Sequence, residues 1–350
     1  MHILFLLTQD LESPSGVGRY LPLARGLVQC GHQVTVAALH SRFDALRHRR
    51  FEQDGVKVRY VAQMHVRKKG NTKSYYPAHQ LIPLMMRAAL ALTWAAVRVS
   101  ADVTHIGKPH PMNSVAGLVA KHVQGKCTFL DYDDYEAGSN RFSGEWQRRV
   151  VSCFENWVPS QVHHITTHNH FLLNRLLALG IPRKRVTYLP NGVNIERFAK
   201  LNPTQVEDLR AKFDLEGKKV TAFIGTLSLP SHPVDLLLDA FPRVLEANPQ
   251  NVLMIVGGGE DYEQLKQRSD QMRLGGSVIF SGRVPSSEVP LYYALADVVV
   301  DPARDDAASQ GRLPLKLFES WASGTPFVTA DVGDRGRVLG SPPAGILVEP

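Results

Sequence analysis

Short apolar runs alternate with amphipathic stretches along the whole chain. Runs such as His2–Leu7, Val34–Leu39 and Val252–Val256 have the length and the apolar, often β-branched composition of buried strands. Helical spacing follows many of them, for example from about Arg19 to Gln29, and Gly31 suits the end of that helix. The alternation predicts an α/β architecture with parallel sheets.

The same strand pattern continues in both halves of the chain. Further predicted strands are Val56–Val61, Val103–Ile106, Thr128–Leu130, His164–Thr166, Val220–Gly225, Val278–Phe280, Val298–Val300 and Phe327–Thr329. Turn residues 190–192 follow the strand-like run Val186–Leu189. We therefore predict two doubly wound domains, residues 1–190 and 191–350, with a ligand cleft at their strand ends.

Length and composition agree with this division. A chain of 350 residues suits two domains, and 44% hydrophobic with 21% charged residues excludes wholesale disorder. Three widely spaced cysteines support neither a disulfide framework nor a thiolate zinc site, and favour a reducing, cytoplasmic compartment. The apolar start is too short for a secretory signal, and no uninterrupted apolar run of about 18 residues predicts a transmembrane helix.

Charge is distributed unevenly between the two halves. Residues 1–190 carry 24 basic and 12 acidic side chains, whereas residues 191–350 carry 16 and 21. Basic clusters lie at 42–50 and 67–73, and no aromatic-basic stacking pattern accompanies the charge, so nucleic acid is not expected as a partner. Together with an apolar helix face they suit peripheral contact with an anionic membrane, although a core helix with solvated loops gives the same pattern. The apolar positions of that face are Met85, Met86, Leu90, Leu92 and Trp94.

Four motifs occur in order along the chain. They are Ser-Gly-Val-Gly-Arg-Tyr at 15–20 with Gly-His-Gln-Val-Thr-Val at 31–36, Pro-Asn-Gly-Val-Asn-Ile-Glu-Arg-Phe at 190–198, Val-Gly-Gly-Gly-Glu at 256–260 with Ser-Gly-Arg-Val at 281–284, and Pro-Leu-Lys-Leu-Phe-Glu-Ser-Trp-Ala-Ser-Gly-Thr-Pro at 314–326. Together they resemble the retaining GT-B glycosyltransferases of family 4 (group 1), as a divergent branch. The resemblance implies a GT-B fold, with two Rossmann-like domains facing an interdomain cleft. It also implies an acceptor-binding domain at 1–190, a donor-binding domain at 191–350, and C-terminal helices beyond the strand that ends this chain.

Sugar transfer from a nucleoside-diphosphate donor leaves negative charge on the diphosphate. The site therefore needs hydrogen-bond donors that point at this diphosphate. Glycine loops and helix N-termini supply such N–H groups. The resemblance implies that Glu319 accepts hydrogen bonds from the ribose and that Leu315, Lys316 and Leu317 face the diphosphate. Two pairs have alternative interpretations: Gly16 and Gly18 bind the donor or form a tight turn, and Gly282 and Val284 contact the base or pack at a strand edge.

The chain departs from the family pattern at several positions. Thr226 follows Gly225 where relatives place an arginine, and His232, close to the position of a family lysine, supplies charge only if protonated. Gly311 replaces the first of two family glutamates, so Arg312, or the carboxylates at 305 and 306, would contact the sugar. His110 either reaches an acceptor hydroxyl or a donor phosphate, or is a satisfied loop histidine. The candidate catalytic residues are His110, His232 and Lys316.

The acidic run Asp131–Glu136 follows a predicted strand. It could bind acceptor hydroxyls, hold a metal or orient an arginine, and we expect acceptor recognition. The resemblance implies a UDP- or GDP-sugar substrate, a sugar or lipid-linked acceptor, no cofactor and no required metal. The expected function is retaining glycosyl transfer in glycan, lipopolysaccharide or glycolipid synthesis, in the cytoplasm or at the inner face of the membrane. A degenerate nucleotide-sugar-binding scaffold and a sugar-nucleotide epimerase are the alternatives.

Overall fold

The computed structural model describes residues 1–199 and 201–350. The chain divides into two compact units. The first unit comprises Met1–Lys68 and Ser74–Pro190, and the second comprises Asn191–Pro350 together with the short segment Lys69–Lys73.

An eight-stranded sheet forms the centre of the first unit. The strands in chain order are β1 (His2–Leu7), β2 (Gln33–His40), β3 (Arg50–Gln53), β4 (Val56–Gln63), β5 (Val66–Lys69), β6 (Thr72–Tyr75), β7 (Val103–Gly107), β8 (Cys127–Tyr132), β9 (His164–Thr167) and β10 (Val186–Tyr188). The sheet order is β3-β4-β2-β1-β7-β8-β9-β10, and β5 and β6 form a separate two-stranded sheet. All pairings in the large sheet are parallel except β3 with β4. The predicted parallel α/β architecture is therefore confirmed, with an antiparallel edge that was not predicted.

Helices flank this sheet. They are α1 (Leu21–Gln29), α2 (Ala78–Arg98), α3 (Pro111–Gln124), α4 (Glu136–Ser139), α5 (Glu145–Gln161) and α6 (His170–Ala178). A π-helical turn at Gly16–Tyr20 precedes α1, and Gly31 ends the segment with φ +83°, which favours glycine. Helix α2 buries Ala88 and Leu92 in an apolar cluster with β1 and β2 residues such as Leu4.

The second unit has a six-stranded, wholly parallel sheet. Its strands are β11 (Lys219–Ile224), β12 (Asn251–Val256), β13 (Val278–Gly282), β14 (Val298–Asp301), β15 (Phe327–Ala330) and β16 (Ile346–Val348), in the order β13-β12-β11-β14-β15-β16. The helices are α7 (Glu196–Ala199), α8 (Pro203–Lys212), α9 (Asp235–Ala247), α10 (Tyr262–Gln271), α11 (Val289–Leu295), α12 (Ala307–Gln310), α13 (Leu315–Ala322) and α14 (Arg335–Leu339).

Each large sheet contains a point where the strand order reverses. In the first unit this point lies between β1 and β7, and in the second between β11 and β14. Open parallel sheets bind ligands at the carboxyl ends of the strands beside such a point. The fold therefore directs attention to the segments that follow β1 and β7, and to those that follow β11 and β14.

Candidate functional site

Two segments of the second unit cross beside its switch point. The Gly225 N–H follows β11 and donates to the Val256 carbonyl oxygen at 2.9 Å. Gly257 has φ +135°, and a Cβ there would lie 1.9 Å from the Gly225 carbonyl oxygen. Only glycine allows this crossing of two backbones. Thr226, beside it, is half-buried.

A buried cluster of charged side chains lies beside this crossing. Asp301 ends β14 and has no exposed surface. Its Oδ1 lies 2.9 Å from Nζ of Lys316, and its Oδ2 lies 3.2 Å from Nη2 of Arg335. Burial alone would raise the pKa of Asp301, but Lys316, Arg335 and then Arg312 hold it well below its ordinary value. The carboxylate is therefore ionised, and Lys316 and Arg335 both lie against it.

His232 lies near the same cluster without adding charge to it. Burial, followed by the cations Arg312 and Lys316, lowers the pKa of His232 well below its ordinary value. The ring is therefore neutral near pH 7, and the expectation that protonated His232 supplies charge to a diphosphate is corrected. The ring lies against Phe223, with ring centroids 5.9 Å apart. As a neutral imidazole His232 can donate or accept one hydrogen bond.

Glu319 lies on α13, with 19% of its side chain exposed. The Tyr293 hydroxyl donates to its Oε2 at 2.9 Å, and an Arg197 nitrogen lies 3.9 Å from Oε1. Burial raises the pKa of Glu319, while Tyr293 and then Arg197 oppose the shift. The carboxylate is thus held in one orientation, with Oε1 the less constrained oxygen.

The first turn of α13 contains Leu315, Lys316 and Leu317, as predicted for a helix that opens at this point. Leu317 is fully buried in the core, and its N–H donates to the Pro314 carbonyl oxygen at 3.3 Å. The expectation that the Leu317 amide faces a diphosphate is therefore corrected, because that N–H already has an acceptor. Leu315 and Lys316 occupy the first positions of the helix, where N–H groups have no intrahelical acceptor.

The remaining donor-side candidates have packing roles. Gly282 has φ +74°, and a Cβ there would lie 2.5 Å from the side-chain amide of Asn71. Asn71 belongs to the second unit, and its Oδ1 accepts the Arg283 N–H at 2.8 Å. Val284 packs against the main apolar cluster of this unit, which matches the strand-edge interpretation.

Arg312 and its carboxylate neighbours also have defined positions. Arg312 is 9% exposed and lies within electrostatic reach of Asp301. Asp306 caps α12 by accepting the Ser309 N–H at 2.8 Å, and Asp305 accepts from the Gln310 side chain at 2.7 Å. The two carboxylates expected to replace the absent family glutamate are therefore already bonded within their own loop.

The acidic run of the first unit orients an arginine rather than an acceptor. Asp131 is fully buried and accepts two hydrogen bonds from Arg19, from Nε and Nη2, each at 2.7 Å. Asp133 lies 3.3 Å from Nε of Arg19 and 3.5 Å from Nζ of Lys108. Burial raises the pKa of Asp133 to about 7, against the opposing effect of Lys108. The expected acceptor recognition by this run is thus corrected for its buried members.

His110 follows β7 and is 16% exposed. Its Nδ1 lies 2.8 Å from the Thr8 hydroxyl, and its Nε2 lies 2.8 Å from Oε2 of Glu136. Lys108 binds the other Glu136 oxygen at 2.8 Å. Burial would raise the pKa of Glu136, but Lys108 and His110 hold it well below its ordinary value. An ionised carboxylate therefore orients the imidazole at the first unit's switch point.

The glycine loop of the first unit is a tight turn. A Cβ on Gly16 would lie 2.3 Å from the Asp10 carbonyl oxygen, so glycine is needed for contact with the protein's own backbone. Gly18 lies in the same π-helical turn. Of the two interpretations for this pair, the geometry supports the strand-to-helix turn.

Helix α2 exposes an apolar stripe. Ile82, Met86, Leu90 and Trp94 recur every four residues and are 49%, 63%, 69% and 62% exposed. Leu92 of the predicted face is buried, and Met85 packs against the core. By length and apolar composition α2 also meets the criteria for a membrane span, with 28% of the relevant window buried, which corrects the expectation that no segment would. One such helix is weak evidence, since core helices pass the same test.

Sequence reasoning missed Asp301, Arg335 and Tyr293. Asp301 carried a usable signal, because a carboxylate directly after the apolar run Val298–Val300 stands at the carboxyl end of a strand. Arg335 and Tyr293 carried none, since each reaches its partner only through the tertiary fold. Among residues 1–199 and 201–350, no group of three or more His, Cys, Asp or Glu side chains could hold a metal ion.

Comparison with known families places the chain. Residues 15–192 match the "Glycosyl transferase 4-like domain" and residues 205–350 match "Glycosyl transferases group 1". The first of these matches covers just over half of the chain, which therefore belongs to the glycosyltransferase 4-like family, and its second half matches the group 1 model.

Individual relatives and solved structures agree with that family. The chain is 27% identical over 188 residues to a GDP-mannose-dependent alpha-(1-6)-phosphatidylinositol monomannoside mannosyltransferase from Mycolicibacterium smegmatis, covering 53% of this chain and 48% of the relative. It thus spans about half the length of that curated relative. Sucrose-phosphate synthase from Thermosynechococcus elongatus superposes with a TM-score of 0.75 at 17% identity, covering 100% of this chain and 86% of that structure. HepE from Anabaena, in complex with UDP-glucose, superposes with a TM-score of 0.70 at 19% identity and the same coverage. These likenesses show the GT-B fold, which confirms that prediction.

Proposed function

We propose that this protein transfers a sugar from a UDP- or GDP-sugar to a hydroxyl of a sugar or lipid-linked acceptor, with retention of configuration. The observation that carries the proposal is the buried cluster at the second unit's switch point. Lys316 and Arg335 there both lie against the one carboxylate of Asp301. Surplus buried positive charge suits a diphosphate anion, and its stabilisation is the main requirement of a diphosphate leaving group.

The other site residues have distinct proposed roles. Glu319, oriented by Tyr293, accepts a ribose hydroxyl through its less constrained oxygen. Neutral His232 and the first amides of α13 contribute hydrogen bonds to the diphosphate without further charge. In the first unit, both ring nitrogens of His110 are already bonded, to Thr8 and Glu136, which supports the interpretation as a satisfied loop histidine, and contact with an acceptor hydroxyl would require His110 to exchange one of these partners. The acceptor oxygen forms its bond to the anomeric carbon as the bond from that carbon to the diphosphate oxygen breaks, and the departing phosphate takes up the proton of the acceptor hydroxyl. Because departure and attack occur on the same face, the configuration would be retained. The residues assigned here supply all of these contacts, so neither a cofactor nor a metal enters the proposal.

Two kinds of relative support the donor class. The mannosyltransferase relative is GDP-mannose-dependent by name, and HepE was solved with UDP-glucose. The test incubates the protein with UDP- and GDP-sugars, with and without sugar and lipid acceptors, and determines the anomeric configuration of any product by NMR. Transfer with retention is expected. An inverted product would refute retention, nucleotide binding without transfer or hydrolysis would favour the degenerate scaffold, and a rearranged nucleotide-sugar without acceptor would favour the epimerase.

We also propose peripheral contact with an anionic membrane, at the cytoplasmic face, through α2. Its exposed stripe of Ile82, Met86, Leu90 and Trp94 continues into Arg98, whose guanidinium lies 4.3 Å from the Trp94 ring centroid. The basic clusters of the same unit would add about 1 kcal/mol per charge near an anionic surface.

Co-sedimentation with anionic vesicles tests this contact. The paired substitution Leu90→Ser and Trp94→Ser should reduce binding to background. Val123→Ser, at a position on α3 that is 68% exposed, is the matched control and should leave binding intact. Background binding of the unaltered protein at low salt would overturn the proposal.

A further inference from the structure

The carboxylate of the buried cluster, that of Asp301, is completely buried. Asp301 has 0% exposed side-chain surface and Lys316 has 7%, so of these two side chains only Lys316 reaches the surface. Arg335 fixes the second oxygen of this carboxylate. Its Nη1 donates to the carbonyl oxygens of Ser309 at 3.0 Å and Val332 at 3.1 Å, while its Nη2 lies 3.2 Å from Oδ2 of Asp301. Oδ1 is thereby left facing Lys316.

The Lys316 ammonium is confined on three sides. Asp301 lies 2.9 Å away, the Phe223 ring centroid lies 3.9 Å away, and a Cβ on Gly225 would lie 3.1 Å from Nζ. This position places Nζ directly against the residue that follows β11 at the switch point. A lysine is otherwise a flexible point charge, so its location here depends on the groups around it.

We infer that Asp301 is a positioning residue for nucleotide binding, which holds the Lys316 ammonium charged and in place beside Gly225. This inference rests on the proposed function. The inference adds to the proposed function that Lys316 binds the leaving diphosphate and acts together with a carboxylate that does not touch the ligand.

The electrostatic surroundings make the dependence testable by pH. Burial lowers the pKa of Lys316, and Asp301 is the group that opposes this shift. The other charged or titratable groups that act on this lysine or respond to it are Arg312, Arg335, His232 and Glu319. Both arginines favour its neutral form. Removal of Asp301 would therefore let Lys316 lose its proton at a lower pH.

The experiment measures the Kd of UDP, with GDP in parallel, by calorimetry between pH 7 and 9.5. Asp301→Asn keeps the side-chain size and removes the charge. Its Kd should exceed that of the unaltered protein by about tenfold at the upper pH values, with a difference that shrinks toward pH 7. Circular dichroism and thermal unfolding check that the variant is folded.

A double-substitution cycle separates positioning from general damage. In a Lys316→Met background, Asp301→Asn should cause no further change in Kd. A pH-independent change in Kd, or an equal effect with and without Lys316, would overturn the inference. Should Asp301→Asn fail to fold, Lys316→Met alone should raise the Kd of UDP about tenfold at pH 7 and remove the loss of affinity at high pH, and an unchanged Kd in this variant would overturn the inference. If the unaltered protein binds neither nucleotide, the proposed function fails instead.

Discussion

The contact between Glu319 and a ribose can be isolated with one substitution and one altered nucleotide. Glu319→Gln keeps the side-chain size and removes the negative charge. Oε2 of Glu319 already accepts from Tyr293 at 2.9 Å, which leaves Oε1 for a single ribose hydroxyl. One hydrogen bond to a charged group contributes about 1.5–3 kcal/mol. Because 19% of the side chain remains exposed, we take the lower part of that range, about 1.5–2 kcal/mol.

This magnitude corresponds to a Kd for UDP that rises about 10- to 30-fold in Glu319→Gln, as measured by calorimetry. The unaltered protein should lose the same factor when UDP is replaced by its 2′-deoxy or its 3′-deoxy form, whichever lacks the bonded hydroxyl. The variant should then discriminate less between UDP and that deoxy analogue than the unaltered protein does, because its uncharged amide oxygen is a weaker acceptor. Tyr293→Phe is the matched control, since it removes the orienting hydroxyl and keeps the carboxylate, and its effect should be smaller. If Glu319→Gln loses affinity equally for UDP and for both deoxy analogues, the assignment to ribose is refuted.

Three further predictions concern stability. Asp131→Ala should lower the free energy of unfolding by about 3–5 kcal/mol in denaturant melts, because it leaves a buried arginine without its carboxylate, whereas Asp134→Ala, at a partly exposed position, should cost far less. Burial raises the pKa of Glu155 to about 7, so the folded state holds a proton that the unfolded state releases, and the free energy of unfolding should fall as pH rises from about 4.5 to 7. Glu155→Gln should flatten that dependence in thermal melts at a series of pH values. An unchanged slope would contradict this cause. Gly257→Ala should destabilise by more than about 3 kcal/mol, since both its φ and the 1.9 Å approach exclude a Cβ, while Gly276→Ala, with open space around it, should be close to neutral by the same measurement.

The sequence predicted the strands of both sheets well because parallel strands that are covered on both faces consist almost entirely of apolar residues. Each such strand therefore stands out as a short apolar run. It did not predict the β3–β4 edge, whose strand β3 is fully exposed and carries no apolar pattern. The π-helical turn before α1 was also missed, since its residues suit an α-helix equally well. Boundaries otherwise shifted by only a residue or two.

The sequence likewise predicted the positions of some residues of the candidate site but not their chemistry. Positions inside motifs, such as Lys316 and Glu319, could be named from the sequence because the motif at 314–326 resembles that of a known family. Their chemistry could not, since the charge state of His232 and the partner of Lys316 depend on groups far away in the chain. The acidic run illustrates the limit most clearly: its position after a strand was apparent, but whether Asp131 faced solvent or Arg19 required the fold.

The pairing of Asp301 with Arg335 ties ligand chemistry to the order in which the chain is made. Arg335 is synthesised after β15 and opens the last helix before β16, yet it completes the surroundings of a carboxylate at the end of β14. In a nascent second unit that already has its four central strands, Asp301 and Lys316 would still lack their contact with Arg335. The ability to bind a nucleotide should therefore appear on the ribosome only after α14 has docked, rather than gradually as the sheet grows.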